Sequence, residues 1–301
     1  MSVGPYRVTQ RGVAMQSLAN LQGNLDRLSS IQNQLSSGKQ VQRPSDDPSM
    51  AVVAMRARAE SSVYTQYSRA ADDAQGWLST IDNTMSGMTA ALRRVRDLTV
   101  QGASTAVQDQ TSRDAIAAEI DQVKQSLIES SNAKYNNRPV FGGVTAGTSA
   151  YDATGNYVGV SVAAGGPIQR RVSEGSLVRV DVTGPEAFGA PGSDMFSVLS
   201  QISSDLRTNP SNVSNDLGTV DNTVNNLLNV QADIGARANR VTAMQTAATA
   251  RIGVLNTQQS DAEDIDLPKT IINLNMAQVA YQSALQATAK VIQPSLMDFL
   301  R

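Results

Sequence analysis

Two adjacent carboxylates lie between prolines in Pro44-Ser45-Asp46-Asp47-Pro48. Paired acids can exchange a proton or hold a cation, so chemistry is sought there first. The usual companions are missing. The 301 residues include no histidine and no cysteine. That removes imidazole and thiolate metal ligands, thiol nucleophiles and every triad built on a histidine base. Gly142-Gly143 and Gly165-Gly166 are not followed by Gly-Lys-Ser/Thr, so neither makes a phosphate loop. The remaining carboxylates, serines, lysines and arginines are scattered along the chain, with no convergent set. The plainer reading of Asp46 and Asp47 is a pair of acids ahead of a helix N-terminus, where the helix dipole favours negative charge. The sequence therefore predicts no catalytic residue, no metal, no cofactor and no enzyme.

What must position these residues is a set of long helices. From Val213 to Gln259 one column reads Val213, Val220, Leu227, Ile234, Val241, Ala248, Leu255. A second reads Leu217, Val224, Gln231, Ala238, Gln245, Ile252, Gln259. Steps of three and four put both columns on one side of a helix. No proline interrupts the run, so the helix extends roughly 65 Å at about 1.5 Å per residue. Such a helix needs a partner of similar length. Residues 51–102 supply one, with a seam of Val53, Val63, Tyr67, Ala70, Ala74, Trp77, Ile81, Thr84, Met88, Ala91, Val95 and Leu98. The two are expected to lie antiparallel. Aromatic residues are only 4% of the chain, which suits thin helical rods better than a large round core.

Each end of the chain carries a shorter amphipathic helix. Near the N-terminus, Ala14, Leu21, Leu28 and Leu35 form one column and Leu18, Leu25 and Gln32 the other, with Gly38 as the stop. Near the C-terminus the columns are Ile271, Gln278, Leu285, Ile292, Phe299 and Leu274, Tyr281, Thr288. Between the long helices the composition changes. Eleven of 21 glycines lie between Pro139 and Ser193, and Val158, Val160, Val162 and Val178, Val180, Val182 alternate as strands do. The valines continue no heptad, so the segment is expected to be replaceable without loss of the rod.

The expected fold is thus mainly α: long antiparallel helical rods, a coiled-coil-like bundle, with paired terminal helices and a small β-rich inserted domain. The boundaries are 1–43, 44–138, 139–193, 194–264 and 265–301, the first and last forming one terminal-helix domain. Net charge of −2 gives no footprint for nucleic acid. No run of about 18 apolar residues is available to cross a membrane, and the N-terminus lacks the apolar block of a cleaved signal.

Leu28-Ser29-Ser30-Ile31-Gln32-Asn33-Gln34-Leu35-Ser36-Ser37-Gly38-Lys39, running into Pro44, Asp46, Asp47 and Pro48, resembles the N-terminal region of bacterial flagellins. Ala280-Tyr281-Gln282-Ser283-Ala284-Leu285-Gln286-Ala287-Thr288-Ala289-Lys290-Val291 resembles their C-terminal region. Within that superfamily, Asn137-Arg138-Pro139-Val140-Phe141-Gly142-Gly143 is similar to the motif of the hook–filament junction family (hook-associated protein 3), as is the ending Ser295–Leu300. The resemblance implies a secreted structural subunit of the extracellular flagellum that joins hook to filament. Flagellin itself, or a soluble coiled-coil adaptor, is the alternative. Implied partners are copies of itself, the neighbouring hook-associated protein and flagellin, the export apparatus, and an export chaperone on the C-terminal helix. The implied assembly interface is Leu18, Leu21, Leu25, Leu28, Leu35, Ile271, Leu274, Tyr281, Leu285, Ile292 and Phe299, with the terminal helices pairing only on assembly. Arg93–Gln101 also resembles the flagellin segment recognised by an animal innate immune receptor.

Overall fold

The computed structural model describes residues 10–104, 109–145 and 147–292. In chain order the helices are α1 (Gln10–Ser37), α2 (Pro48–Ala103), α3 (Gln110–Ser131), α4 (Val162–Gly165), α5 (Gly184–Phe188), α6 (Met195–Thr208), α7 (Val213–Glu263) and α8 (Leu267–Ile292). Two small antiparallel hairpins join them: β1 (Lys134–Tyr135) with β2 (Arg138–Pro139), and β3 (Gln169–Ser173) with β4 (Ser176–Arg179). The chain forms two compact units, Ser62–Ile252 and the combined ends Met1–Ser61 with Gly253–Arg301.

In the first unit α2 and α7 run antiparallel. Arg96 pairs with Asp221, Gln231 with Asp82, Thr242 with Gln75 and Gln245 with Asp72. Position falls along α2 as it rises along α7, the mark of an antiparallel pair. The leading column of α7 from Val213 to Val241 is buried throughout. Gln231 and Gln245 of its second column are half-buried and reach across to the carboxylates of Asp82 and Asp72 on α2 rather than leaving a gap in a zipper. On α2 the seam holds from Ala74 through Trp77, Ile81, Met88, Val95 and Leu98, all buried. α3 packs on α6 beside them, tied by Arg207–Asp121 and Lys124–Ser200.

The inserted segment differs from expectation. Val158–Val162 is not a strand: Val162 opens the short helix α4, and Tyr151 and Tyr157 form an isolated bridge just before it. Val178 lies on β4, and Val178, Val180 and Val182 are buried. Nor is the segment an add-on. Phe141, Val172, Val180 and Phe188 belong to one continuous core with Trp77, Leu78, Leu199 and Leu227. Its apolar residues alternate because they cover the helices from one side, so removing it would uncover that core.

In the second unit α1 packs along α8 within the single chain. This differs from pairing that waits for assembly. The two lengths match, and the turns at Gly38 and Asp264 place the end of α1 beside the start of α8, so each short helix gains the support it lacks alone.

Candidate assembly surface on the terminal helices

Each terminal helix carries an apolar face wider than one partner can cover. On α1 the central column Leu21, Leu28 and Leu35 is half-buried. Its partner column, however, is Ser17, Asn24 and Ile31, while Leu18 and Leu25 are 50% and 48% exposed. On α8 the column Leu274, Tyr281 and Thr288 faces inward, flanked by Thr270, Ala277 and Ala284. Ile271 and Leu285 are 46% and 45% exposed, and Gln278 is exposed with them. Within the single chain, the flank of large side chains that the sequence singles out is therefore the outer one in both helices. Steps of three then four and of four then three fit the same central column equally well. Small residues decide it, because Thr270, Ala277 and Ala284 let the backbones approach. The side chain of Ile292 and all of Phe299 lie outside the described residues.

Large apolar side chains also cover the far side of α8. Ile272, Met276 and Val279, at spacings of four and three, are all well exposed. The first turns of α2 follow the same rule: Ala51, Ala54 and Ala57 are buried, whereas Val52, Val53 and Met55 are exposed. Val53 was expected in the seam and is not there. The alanines take it because a close helix contact admits only small side chains.

The motif residues have other work. The carboxylate of Asp46 accepts the amides of Gln42 and Arg43 at 3.1 and 2.8 Å. Asp47 accepts from the amides of Ser49 and Met50 and from the Ser49 hydroxyl at 2.7 Å, capping α2 behind Pro48. The Ser49 hydroxyl and Met50 amide hold its carboxyl below the usual range. Pro44 and Pro48 bound this turn, which is not an acid–base pair.

Arg138 closes the β1–β2 turn, in which Asn136 and Asn137 both have positive φ, as a two-residue hairpin requires. Its guanidinium stacks 5.8 Å over Trp77, and Tyr135 meets the same ring edge-on at 5.7 Å. Phe141 is fully buried against Phe188 at 4.9 Å. Gly142 accepts the amide of Val160, and Gly143, at φ +63°, has no room for a side chain. Arg138 therefore ties the hairpin to Trp77 of α2, while Phe141, Gly142 and Gly143 pack within the inserted segment, all in a different compact unit from the terminal leucines. In Arg93–Gln101, Val95 and Leu98 are core, while Arg94 and Arg96 pair with Glu119 and Asp221.

Sequence inspection missed Glu263, a buried acid at the end of α7. Only its place in the run Asp261–Asp266 hinted at a role, with nothing to single it out from its neighbours.

The profile of the bacterial flagellin N-terminal helical region matches residues 8–146, and that of the C-terminal helical region matches 217–300. The chain belongs to the bacterial flagellin family. Among named members of the family, flagellar hook-associated protein 3 of Escherichia coli is 26% identical over 84% of this chain and 87% of its own length. The same protein of Salmonella typhimurium is 24% identical over 98% of this chain and all of its own. A solved flagellar hook-associated protein of Vibrio parahaemolyticus has the same fold, with a TM-score of 0.65 and 19% identity over 73% of this chain and 100% of its own. In this flagellin-family chain, among the described residues, no group of three metal-binding side chains converges and no helix is long and apolar enough to cross a membrane.

Proposed function

We propose that this flagellin-family chain is the structural subunit that joins hook to filament, assembling with copies of itself through the outward flanks of α1 and α8. One observation carries this reading. The terminal pair turns its small residues inward and leaves Leu18, Leu25, Ile271 and Leu285 about half exposed. Covering a half-exposed leucine gains about 1 kcal/mol, and the gain repeats in every subunit of a ring. Leu21, Leu28, Leu35, Leu274 and Tyr281 then hold the pair itself together. The likeness to two hook-associated proteins favours the junction over the filament.

The neighbours in this reading are a hook-associated protein on one side and flagellin on the other. The chain is secreted through the flagellar export apparatus with a chaperone on its C-terminal helix. Having no cysteine, it carries no disulfide to undo before threading. The flagellin reading rests on the two matched profiles and makes a different prediction. Electron microscopy of the purified protein mixed with isolated hooks separates them. Monomers that add only at hook ends support the junction, and long filaments of this chain alone overturn it.

A further inference from the structure

Glu263, the last residue of α7, is 4% exposed and gathers groups from three places. Its Oε2 accepts from Lys39 Nζ at 2.6 Å and from Gln259 Nε2 at 3.4 Å, and its Oε1 pairs with the guanidinium of Arg58. Its backbone carbonyl accepts the amides of Gln40 and Val41 at 2.6 and 3.4 Å. One residue on, Asp264 pairs with Lys39 as an antiparallel bridge, and two residues on, the amide of Ile265 donates to the carbonyl of Gly38 at 3.1 Å. The chain leaving α1 and the chain entering α8 are thus stitched together at one carboxylate. Both cations keep their outer ends in water, so each ion pair is weak by itself. A buried carboxylate that loses them is costly.

We propose that Glu263 is the positioning residue that sets the register of α1 against α8. α1 ends and α8 begins at this junction. A slip of one residue there shifts a helix by about 1.5 Å and turns it by roughly 100°. That is enough to exchange the inner flank Ala277 and Ala284 for the outer flank Ile271 and Leu285. The inference concerns the free chain and does not depend on the assembly reading.

The test is amide hydrogen exchange of the full-length chain carrying Glu263→Gln, which keeps the size and removes the charge. The amides of Gln40, Val41 and Ile265, which donate to backbone carbonyls at this junction, should exchange faster by on the order of tenfold or more once the charged contacts from Lys39 and Arg58 that hold the junction closed are weakened. Those of Leu227 and Ile234, in the other unit, should not change. Lys39→Met should accelerate the same three amides. The double variant should be no faster than Glu263→Gln alone, because the pair acts as one. Unchanged exchange at the three amides, additive effects, or acceleration that spreads to Ile234 would each overturn the proposal. If Glu263→Gln does not fold, Lys39→Met alone decides: acceleration at the three amides supports it and wild-type exchange refutes it.

Discussion

The side-chain amide of Gln231 on α7 donates to the carboxylate of Asp82 on α2 at 3.0 Å. That contact explains why glutamines recur in a column where a two-stranded zipper would place leucine. They sit at the margin of the seam, where one end of the side chain meets water and the other an acid. Glutamine here fixes register and contributes little to burial.

Gln231→Leu is therefore expected to change stability by no more than about 1 kcal/mol, since one modest hydrogen bond is exchanged for apolar area. Leu227→Ala, one turn earlier and fully buried, should cost about 2–5 kcal/mol. Urea unfolding of both variants checks the contrast. Equal losses would show that the glutamine column is core.

Gly143 has φ +63°, and an added Cβ would lie 2.1 Å from the carbonyl oxygen of Val160. That oxygen belongs to backbone and cannot swing aside. Gly143→Ala should destabilise the chain by about 3 kcal/mol or more, combining strain with displacement of the insertion. At Gly142 the nearest atoms belong to the side chains of Thr145 and Pro139, so Gly142→Ala should cost less. Thermal melts followed by circular dichroism would rank the two, and the reverse order would contradict this packing.

Asp216, at the start of α7, is buried beside Asp205, which accepts from Gln201 and Asn212. Burial first, then the charge and hydrogen bond of Asp205, push its carboxyl up to about 6. The folded state thus holds its proton more tightly than the unfolded chain does. The resulting stability is complete below the ordinary carboxylate range and is lost as pH rises through about 6. The wild-type chain should be more stable at pH 5 than at pH 8 by on the order of 1 kcal/mol from this site. Asp216→Asn should flatten that part of the profile in denaturant titrations at the two pH values. A variant with an unchanged slope would remove Asp216 as its source.

The long helices were readable because a seven-residue repeat sustained over many turns admits one solution. Val213, Val220, Leu227, Ile234 and Val241 are all buried where their spacing puts them. The terminal helices offered two solutions around one central column. Sequence cannot choose between Leu25 and Asn24, or between Leu285 and Ala284, because the choice depends on how closely the partner backbone approaches. The insertion was read as separate because alternation says which residues point one way but not what they cover. Arg138 and Phe141 stood out as a motif, yet their role against Trp77 and Phe188 needs contacts distant in sequence. Glu263 was invisible for the same reason, as its two cationic partners lie more than two hundred residues away.

The central claim is that Leu285 belongs to an assembly surface and not to the fold of the single chain. Leu285→Asp places a charge on the outer flank, where water can still reach it in the monomer but a neighbouring subunit would bury it. Leu28→Asp places the same charge on the half-buried column facing α8, and Asn273→Asp adds it at an exposed polar position of α8. The measurement is attachment of each purified chain to isolated hook ends by electron microscopy, beside hydrogen exchange of the free chain. The account predicts that Leu285→Asp keeps wild-type exchange in α1 and α8 but does not attach. Leu28→Asp should loosen both helices, and Asn273→Asp should do neither. Leu285→Asp chains that attach as well as wild type, or that lose protection along α1 while still monomeric, would contradict it.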